Sequence, residues 1–337
     1  MPSQPRPIAE RAPIDRATFE AEIVSAAQPV VLRGQVRDWP LVRAALAGDD
    51  RFAEALRALA TPVPAEAWFG APAINGRFGY DEALTGYNFD RRLATIDQLL
   101  DLILRQRDDP APWAIYGGAM PVAKHVPGFR DQHPMPLIDA DRHMLVSLWL
   151  GNRTKTAAHW DLPQNLACVV AGRRRFTLFP NDEIANLYVG PIDFTLAGQP
   201  SSLADIEEPD FARFPRLADA FDHALTADLA PGDVLYVPSL WWHGVRGLDP
   251  VGAMVNYWWR DGPARMMTPM LSLKHALMTM NGLPANERAA WRVMFDHYLF
   301  SDEPAAHLPE AARGVLGDLS DEALRQLLAE LAAALRR

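Results

Sequence analysis

The sequence predicts a mainly β protein, an antiparallel β core with helical flanks. Short runs of β-branched and aromatic residues, separated by turn residues, are concentrated between residues 144 and 259. Apolar residues at helical spacing precede this block, and the pattern is helical again from about residue 263. We therefore divide the 337 residues into a Pro-rich tail over 1–14, a core domain over 15–262 and a C-terminal helical module over 263–337.

Caps and apolar spacing justify the elements before the β block. Asp15 is a helix N-cap residue, and Thr95 followed three residues later by Gln98 forms a capping box. The apolar run that ends at Gly34 is typical of a buried strand. The predicted elements are a helix over 19–24, a strand over 29–34, a helix over 41–60, strand-like pieces near 66–69 and 77–80, a helix after Thr95, and loops over 107–142 around a strand at 113–116.

The β block itself consists of apolar runs bounded by Gly, Pro and Asp. Ala171-Gly172 is a plausible turn and predicts a hairpin between its two flanking strands. Residues 181–229 resemble a long insertion with helical pieces such as 215–227. The insertion, with 182–188 and 190–229, is the predicted substrate-facing part, because loops on a rigid scaffold generally carry specificity. The predicted strands are 144–150, 156–161, 166–170, 175–180, 234–238 and 253–259.

The C-terminal module is predicted to contain three helices. They cover 267–280, 287–299 and a segment that Ser320 can cap. The last helix carries leucines on one face, from Leu324 to Leu335. Such a stripe must be buried, either on this chain's own core or on another molecule.

Composition limits the class of protein. Apolar residues make up 49% and charged residues 22%, which is ordinary for a globular protein. The net charge of −9 argues against a large nucleic-acid-binding surface. A single cysteine, Cys168, excludes an intramolecular disulfide and a Cys-rich zinc site. The absence of a signal-peptide pattern and of an apolar run near 20 residues predicts a cytoplasmic protein without a membrane partner.

Three side chains carry the strongest chemical signal. His159 and Asp161 are two residues apart, so in a strand they point to the same face. His243 follows a turn and a strand some 80 residues later, and a jelly-roll barrel would place it across from His159. Two histidines and one carboxylate form the facial triad of non-haem Fe(II) oxygenases. The alternative is that both histidines are hydrogen-bonded core residues, as we expect for most of the nine.

Longer motifs around these residues resemble a known family. The segment from Ser147 to Trp259 is similar to the cupin-like branch of the JmjC family of Fe(II)- and 2-oxoglutarate-dependent oxygenases, and to the asparaginyl hydroxylase that acts on hypoxia-inducible factor. The fold of that family is a double-stranded β-helix, or jelly-roll, barrel. The matching stretches are 151–161, Gln164-Asn165, Phe179-Pro180, 232–243 and 255–258, and 29–34 with Trp39-Pro40 fits the family's N-terminal region.

The resemblance implies a role for each matched residue. His159, Asp161 and His243 would bind iron. Thr156 and Tyr116 would reach the distal carboxylate of 2-oxoglutarate. The side-chain amides of Asn165 and Asn256 would lie near this cosubstrate.

One position departs from the family pattern. Relatives carry a lysine nine residues after the matched asparagine, where this chain has Arg174. Strand alternation puts Arg174 and Phe176 on one face and Arg173 and Arg175 on the other. An arginine can hold a carboxylate bidentately, but it is larger than lysine. Either the pocket is enlarged to hold it in place of the lysine, or a shorter diacid binds, or the cosubstrate site is altered, or the stretch is a solvated basic turn.

The implied function is a hydroxylase that converts 2-oxoglutarate to succinate and CO₂. Its substrate, whether a protein side chain, an amino acid or another small molecule, is not indicated. The resemblance also implies a homodimer through the C-terminal helices. The alternatives are a metal-binding protein that has lost turnover, a cupin of another reaction class and an RNA-modifying oxygenase. Some of five tryptophans are expected to wall the pocket: Trp160, Trp241, Trp242, Trp258 and Trp259.

Overall fold

The computed structural model describes residues 3–262 and 268–335. It divides into two compact units, Met1–Asp261 and Gly262–Arg337. The described strands all lie in the first unit, most of the helices of that unit precede the β-rich block over 144–259, and the second unit is helical. The predicted fold class, mainly β with helical flanks, is therefore confirmed.

Two sheets form the core of the first unit in the described part of the chain. One has six strands in the order β1-β12-β11-β14-β9-β5, and the other has nine in the order β2-β3-β13-β10-β15-β8-β7-β4-β6. The strands are β1 (Arg6–Pro7), β2 (Ala9–Arg11), β3 (Val30–Leu32), β4 (Ala65–Gly70), β5 (Arg77–Phe78), β6 (Asp90–Ala94), β7 (Ala114–Pro121), β8 (Met144–Gly151), β9 (Lys155–Trp160), β10 (Gln164–Ala171), β11 (Arg174–Phe179), β12 (Leu225–Leu229), β13 (Val234–Val237), β14 (Trp242–Gly247) and β15 (Gly252–Trp259).

Helices precede the β block and fill its connections. The α-helices of the first unit are α1 (Arg16–Thr18), α2 (Pro40–Leu46), α3 (Asp49–Leu59), α4 (Ile96–Arg105), α5 (Val122–His125), α6 (Phe129–Gln132) and α7 (Leu217–His223), with a π-helix over Phe19–Val24 after α1. Both predicted caps are confirmed. Asp15 accepts from the Thr18 amide at 2.8 Å, and Thr95 and Gln98 exchange the two hydrogen bonds of a capping box.

Strand alternation separates two apolar layers. On β10, Leu166 and Cys168 face outward and belong to a cluster with the buried side of α3 and α4. Ala167 and Val169 face inward and pack with Phe176 of β11. Because successive side chains point to opposite faces, one strand serves both layers. The inward face of the nine-stranded sheet and the facing side of the six-stranded sheet enclose the barrel interior.

The predicted hairpin between 166–170 and 175–180 is wrong. Strand β10 pairs with β13 and β15, whereas β11 pairs with β12 and β14, so the two strands lie in different sheets. Gly172 has φ +62°, and a Cβ there would lie 2.2 Å from the Val251 carbonyl oxygen. The tight Gly172 turn thus carries the chain from one sheet to the other, as a jelly-roll requires.

The N-terminal predictions need two changes. The described part of the Pro-rich tail, residues 3–14, does not project freely, because β1 and β2 pair with β12 and β3 and Ile8 between them is 2% exposed. The helix predicted over 41–60 is broken into α2 and α3 at Gly48, which has φ +128°. A positive φ interrupts helical geometry, and glycine adopts it without steric cost.

The insertion over 181–229 is also different in detail. It begins with a 3₁₀-helix at Asn181–Ala185, and the helical piece predicted over 215–227 ends as α7 at His223. Strand β12 follows and pairs with β11, so residues 225–227 belong to the sheet. The strand β14 that carries His243 was not predicted.

The second unit is helical. Its α-helices are α8 (Pro269–Met280), α9 (Ala285–Phe300) and α10 (Asp321–Ala334), with 3₁₀-helices at Glu310–Ala312 and Gly314–Leu316. Ser320 caps α10 by accepting from the Ala323 amide, as expected. Met267, the first residue of the predicted helix 267–280, lies outside the described residues. Among the helices described, none combines the length and apolarity that crossing a membrane requires.

Candidate metal centre

The three predicted metal ligands lie together inside the barrel. His159 on β9 and His243 on β14 are direct cross-strand partners, with ring centroids 4.5 Å apart. Asp161 follows β9 immediately, and its Oδ2 is 3.6 Å from Nε2 of His243. One ligand atom from each residue can be chosen so that all three lie within 4.8 Å of one another. One divalent cation can therefore contact all three.

Backbone carbonyls fix the orientation of both imidazoles. Nδ1 of His159 is 2.9 Å from the Ala157 carbonyl oxygen, and Nδ1 of His243 is 3.0 Å from that of Trp241. Each Nδ1–H donates to its carbonyl, which leaves the Nε2 lone pair free. This outer contact is the usual way in which proteins set the tautomer of a metal-binding histidine.

The electrostatics of the three groups suit a cation. Burial, together with the neighbouring His243, lowers the pKa of His159, so its imidazole is neutral near pH 7. Burial alone would raise the pKa of Asp161, but the two histidines outweigh it and hold that pKa below its ordinary value. Burial acts to lower the pKa of His243, and the contact with Asp161 overcomes it and raises that pKa. A metal requires neutral imidazoles and an ionised carboxylate, so a bound cation would take the place of the proton that Asp161 favours on His243.

A β-bulge brings Thr156 to the same face as His159. The pairing of β9 with β14 shifts by one residue between His159–His243 and Thr156–Val245. In a regular strand, residues three apart would point to opposite faces. The extra residue in β9 turns Thr156 to the face that carries His159. The Thr156 hydroxyl lies 3.2 Å from the carbonyl oxygen and 3.1 Å from the amide nitrogen of Val245.

Arg174 is a buried cation with no carboxylate beside it. It is 3% exposed, and its Nε has no hydrogen-bond partner. Among the described residues, no Asp or Glu oxygen forms an ion pair with it. Burial lowers the pKa of Arg174, but a guanidinium retains its proton in proteins. A buried unpaired charge is costly, and an anion beside Arg174 would reduce that cost.

Arg174 points into the same cavity as the metal ligands. On β11 it shares the inward face with Phe176, whereas Arg175 pairs with Asp228 at the surface. This matches the predicted alternation. The cavity has a volume of about 430 Å³.

The other predicted cosubstrate residues line this cavity too. Tyr116 of β7 is 8% exposed, and burial raises the pKa of its phenol, which therefore stays protonated. The Asn256 amide donates to Oδ1 of Asn165 at 2.7 Å, and Oδ1 of Asn256 is buried without a partner. An unsatisfied buried oxygen is a hydrogen-bond acceptor available to a ligand or a water.

Only some of the expected wall residues face the cavity. Of the five tryptophans flanking the motifs, Trp258 lines it, whereas Trp242 and Trp259 are 1% exposed and belong to apolar clusters. Of the insertion, Leu196, Ala197, Gln199 and Ser201 line it, and no described residue of 182–188 does.

Several of the described lining residues were not predicted as part of the site, and four of them are tryptophans or charged residues. Trp68 and Glu66 lie on β4, Arg91 on β6 and Trp149 on β8. Trp68 is directly opposite Arg91 on one side and Tyr116 on the other. Strand-like character near 66–69 was evident, but long-range register decides which of its side chains reach the cavity.

Comparisons with known proteins agree with this arrangement. Residues 16–265 match the model of a family described as "Cupin-like domain". Human HSPB1-associated protein 1 is 39% identical over 114 residues, which are 33% of this chain and 23% of that protein.

Two further relatives match over similar lengths. The lysine-specific demethylase JMJ31 of Arabidopsis thaliana is 30% identical over 125 residues, 37% of this chain and 22% of that protein. The tRNA wybutosine-synthesizing protein 5 of Danio rerio is 33% identical over 106 residues, 32% of this chain and 29% of that protein. The matches thus span roughly a quarter of these relatives' lengths. Because the family model covers most of the chain, including all three candidate ligands, this protein belongs to the cupin-like domain family.

Proposed function

We propose that this protein is an Fe(II)- and 2-oxoglutarate-dependent oxygenase that acts as a hydroxylase. The observation that carries the proposal is that one cavity holds the triad His159, Asp161 and His243 together with the unpaired Arg174. The triad can bind a metal ion, and the guanidinium can bind an anion. A keto acid with a second carboxylate satisfies both.

The donor set fits iron. Two imidazoles and one carboxylate that leave further positions open are typical of non-haem Fe(II) oxygenases, whereas structural zinc sites use four protein ligands. When bound, iron and 2-oxoglutarate would supply oxidising power by conversion of the keto acid and O₂ to succinate and CO₂.

The chain's own residues would bind and orient 2-oxoglutarate. Arg174 lies opposite Gly247, four residues along β14 from His243, so it can hold the distal carboxylate away from the metal. Thr156, also on the inward face, would add a hydroxyl to that carboxylate. Tyr116 would donate its phenolic proton, because its raised pKa keeps the phenol neutral.

The larger arginine has room where relatives carry lysine. A Cβ built on Gly252 would lie 3.5 Å from Nη2 of Arg174, which is ordinary contact. A side chain longer than that of alanine at position 252 would therefore meet the guanidinium. The partner of Arg174 on β14 is also a glycine, Gly247. Small residues on both sides therefore support a guanidinium that replaces the lysine within the site.

The decisive test is binding of 2-oxoglutarate to the Mn(II)-loaded protein without oxygen, measured by titration calorimetry. We expect Arg174→Ala to weaken binding at least 100-fold, about 2.7 kcal/mol, because a charge-assisted bidentate contact is lost. Arg175→Ala is the matched control and should bind normally, since Arg175 faces outward and pairs with Asp228. Equal binding by wild type and Arg174→Ala would contradict the proposal.

A second candidate function is a cupin-like binding protein that has lost turnover. The observation that favours it is the arginine itself, at a position where the resembling oxygenases have lysine. Formation of succinate by the Fe(II)-loaded protein in air separates the two functions. The substrate of the hydroxylation that we propose is a protein side chain, an amino acid or another small molecule.

A further inference from the structure

Arg91 occupies an aromatic cage at the rim of the cavity. Its guanidinium carbon lies 4.7 Å from the ring centre of Tyr87, 5.4 Å from that of Trp68 and 5.8 Å from that of Phe89. Trp68 and Phe89 are themselves stacked, with centroids 4.5 Å apart. A cation held within about 6 Å of several aromatic rings is in a favourable position. The protein therefore fills this cage with its own cation.

Polar contacts fix Arg91 in this place. One guanidinium nitrogen lies 3.5 Å from Oε1 of Glu66, and another donates to the Leu196 carbonyl. The same Glu66 oxygen accepts from the indole N–H of Trp68 at 3.1 Å. The carboxylate of Glu66 is thus committed to two donors of the protein.

Residues 193–199, which we call the strap, hold Arg91 and its aromatic neighbours in place. Tyr80 donates to the Phe194 carbonyl at 2.7 Å, and Tyr87 donates to that of Thr195 at 2.8 Å. Arg91 donates to the Leu196 carbonyl, so three side chains from residues 80–91 donate to three consecutive carbonyls of the strap. Arg91 cannot leave the cage without releasing one of these contacts.

The cavity offers no free carboxylate to a cationic guest. Among the described residues that line it, the carboxylates are Glu66 and Asp161. The first is committed to Arg91 and Trp68, and the second belongs to the candidate metal triad. Two arginines, Arg91 and Arg174, line the same space. A cation that entered would lose its water and find no compensating charge, which is costly.

The remaining rings pack against one another. Trp149 lies 5.6 Å from Tyr116 and 5.7 Å from Trp258, the latter edge to face. Phe78 packs between Trp68 and Tyr116. Once Arg174 and the triad are used by cosubstrate and metal, the outer cavity presents mainly these apolar surfaces.

We propose that Arg91, by filling the aromatic cage at the rim, restricts the group that reaches the metal to an uncharged one and rejects ammonium or methylammonium groups. This inference rests on the proposed function and deepens it by naming the substrate class. It distinguishes the chain from the relatives whose names denote lysine demethylation.

The test compares two probes of the same shape that differ in charge. They are the N-acetyl, N-methylamide derivatives of trimethyllysine and of its carbon analogue, in which an uncharged tert-butyl group replaces the trimethylammonium group, titrated into the Mn(II)- and 2-oxoglutarate-loaded protein without oxygen. We expect wild type to bind the uncharged probe at least tenfold more tightly. Arg91→Met should raise the affinity for the trimethyllysine probe at least tenfold, because Glu66 and the three rings become available.

Arg92→Met is the matched control. Arg92 is the next residue on β6, pairs with Asp90 and does not line the cavity, so the ratio of the two affinities should not change. Arg91→Gln serves as the second variant if Arg91→Met does not fold. Tight binding of the trimethyllysine probe by wild type would overturn the proposal. So would an unchanged affinity for that probe in the folded Arg91 variant, even where wild type binds neither probe.

Failure of the proposed function gives a different result. If the metal-loaded protein does not bind 2-oxoglutarate, the oxygenase proposal fails, and the two probes are then titrated into the metal-loaded protein alone. A shift in their affinity ratio between wild type and Arg91→Met still tests the charge selectivity.

Discussion

His133 uses both of its ring nitrogens within the protein and is fully buried. Nδ1 is 2.9 Å from the Phe129 carbonyl oxygen, and Nε2 accepts from the Leu41 amide at 3.2 Å. Leu41 lies in the first turn of α2, whose amides have no partner inside the helix, so the imidazole supplies one. This is the hydrogen-bonded core histidine that was the alternative for His159 and His243. In those two residues, by contrast, Nδ1 binds a carbonyl and Nε2 faces the other ligands.

The contrast gives a prediction for a pair of variants. His133→Ala should lower the free energy of unfolding by about 2–4 kcal/mol, because it opens a cavity and leaves a buried amide unpaired. His159→Ala should change stability less and abolish binding of Mn(II). Chemical denaturation and metal titration of both variants check this. Retained Mn(II) affinity in His159→Ala would contradict the assignment of this histidine as a ligand.

The same residue predicts a pH dependence. Burial lowers the pKa of His133 in the folded protein, so below about pH 6.5 the unfolded chain takes up a proton that the folded chain does not. The stability that His133 contributes should therefore be complete near pH 8 and decrease as the pH falls from 6.5. Unfolding of wild type and His133→Asn at pH 8 and pH 5.5 measures it, and the difference between them should be smaller at pH 5.5.

Residue patterns predicted the inner part of the site but not its rim. His159 and Asp161 share a motif with strand spacing, and the alternation around Arg174 decides its face without any long-range information. Arg91 and Trp68 have no such motif. They meet because β6 and β4 pair in one particular register, and register between distant strands is not written in local periodicity.

At the scale of elements, the turn at Gly172 was predicted to form a hairpin, but it connects two strands of different sheets. Both alternatives need two apolar strands and a glycine turn, so the local sequence cannot distinguish them. The difference lies in the long-range partners, β13 and β15 for β10, and β12 and β14 for β11. The caps of α4 and α10 were predictable, because a cap is satisfied within four residues.

The crossover predicts a strong effect of Gly172→Ala. The backbone there has φ +62°, and the new Cβ would lie 2.2 Å from the Val251 carbonyl oxygen. We expect a loss of more than about 2 kcal/mol, from backbone strain and from displacement of the neighbouring chain. Gly128→Ala is the control, since its φ of +80° is also left-handed but nothing lies within 4 Å of its Cβ. It should cost only about 1–2 kcal/mol, the strain of the left-handed backbone alone. Thermal unfolding of both variants measures the difference, and equal losses would show that the close approach to Val251 is unimportant.

At the scale of the whole molecule, charge and fold answer different questions. The net charge of −9 is a property of the surface, whereas the cavity combines two arginines with two carboxylates. Overall composition therefore could not indicate the substrate class, and the class proposed above rests on the arrangement of these few groups.

The helical unit carries the last prediction, a homodimer. Helix α10 has a stripe of leucines, of which Leu328 is 37% and Leu331 49% exposed, and no residue of this helix is buried. Exposed apolar stripes of this kind are typical of interfaces. We expect light scattering to give twice the chain mass of 37.4 kDa, and Leu331→Asp to give the single mass, because a carboxylate would be buried without a partner. Gln326→Asp, on the opposite face of α10, should leave the dimer intact. A mass of one chain at every concentration would show that the leucines of α10 do not form a dimer interface.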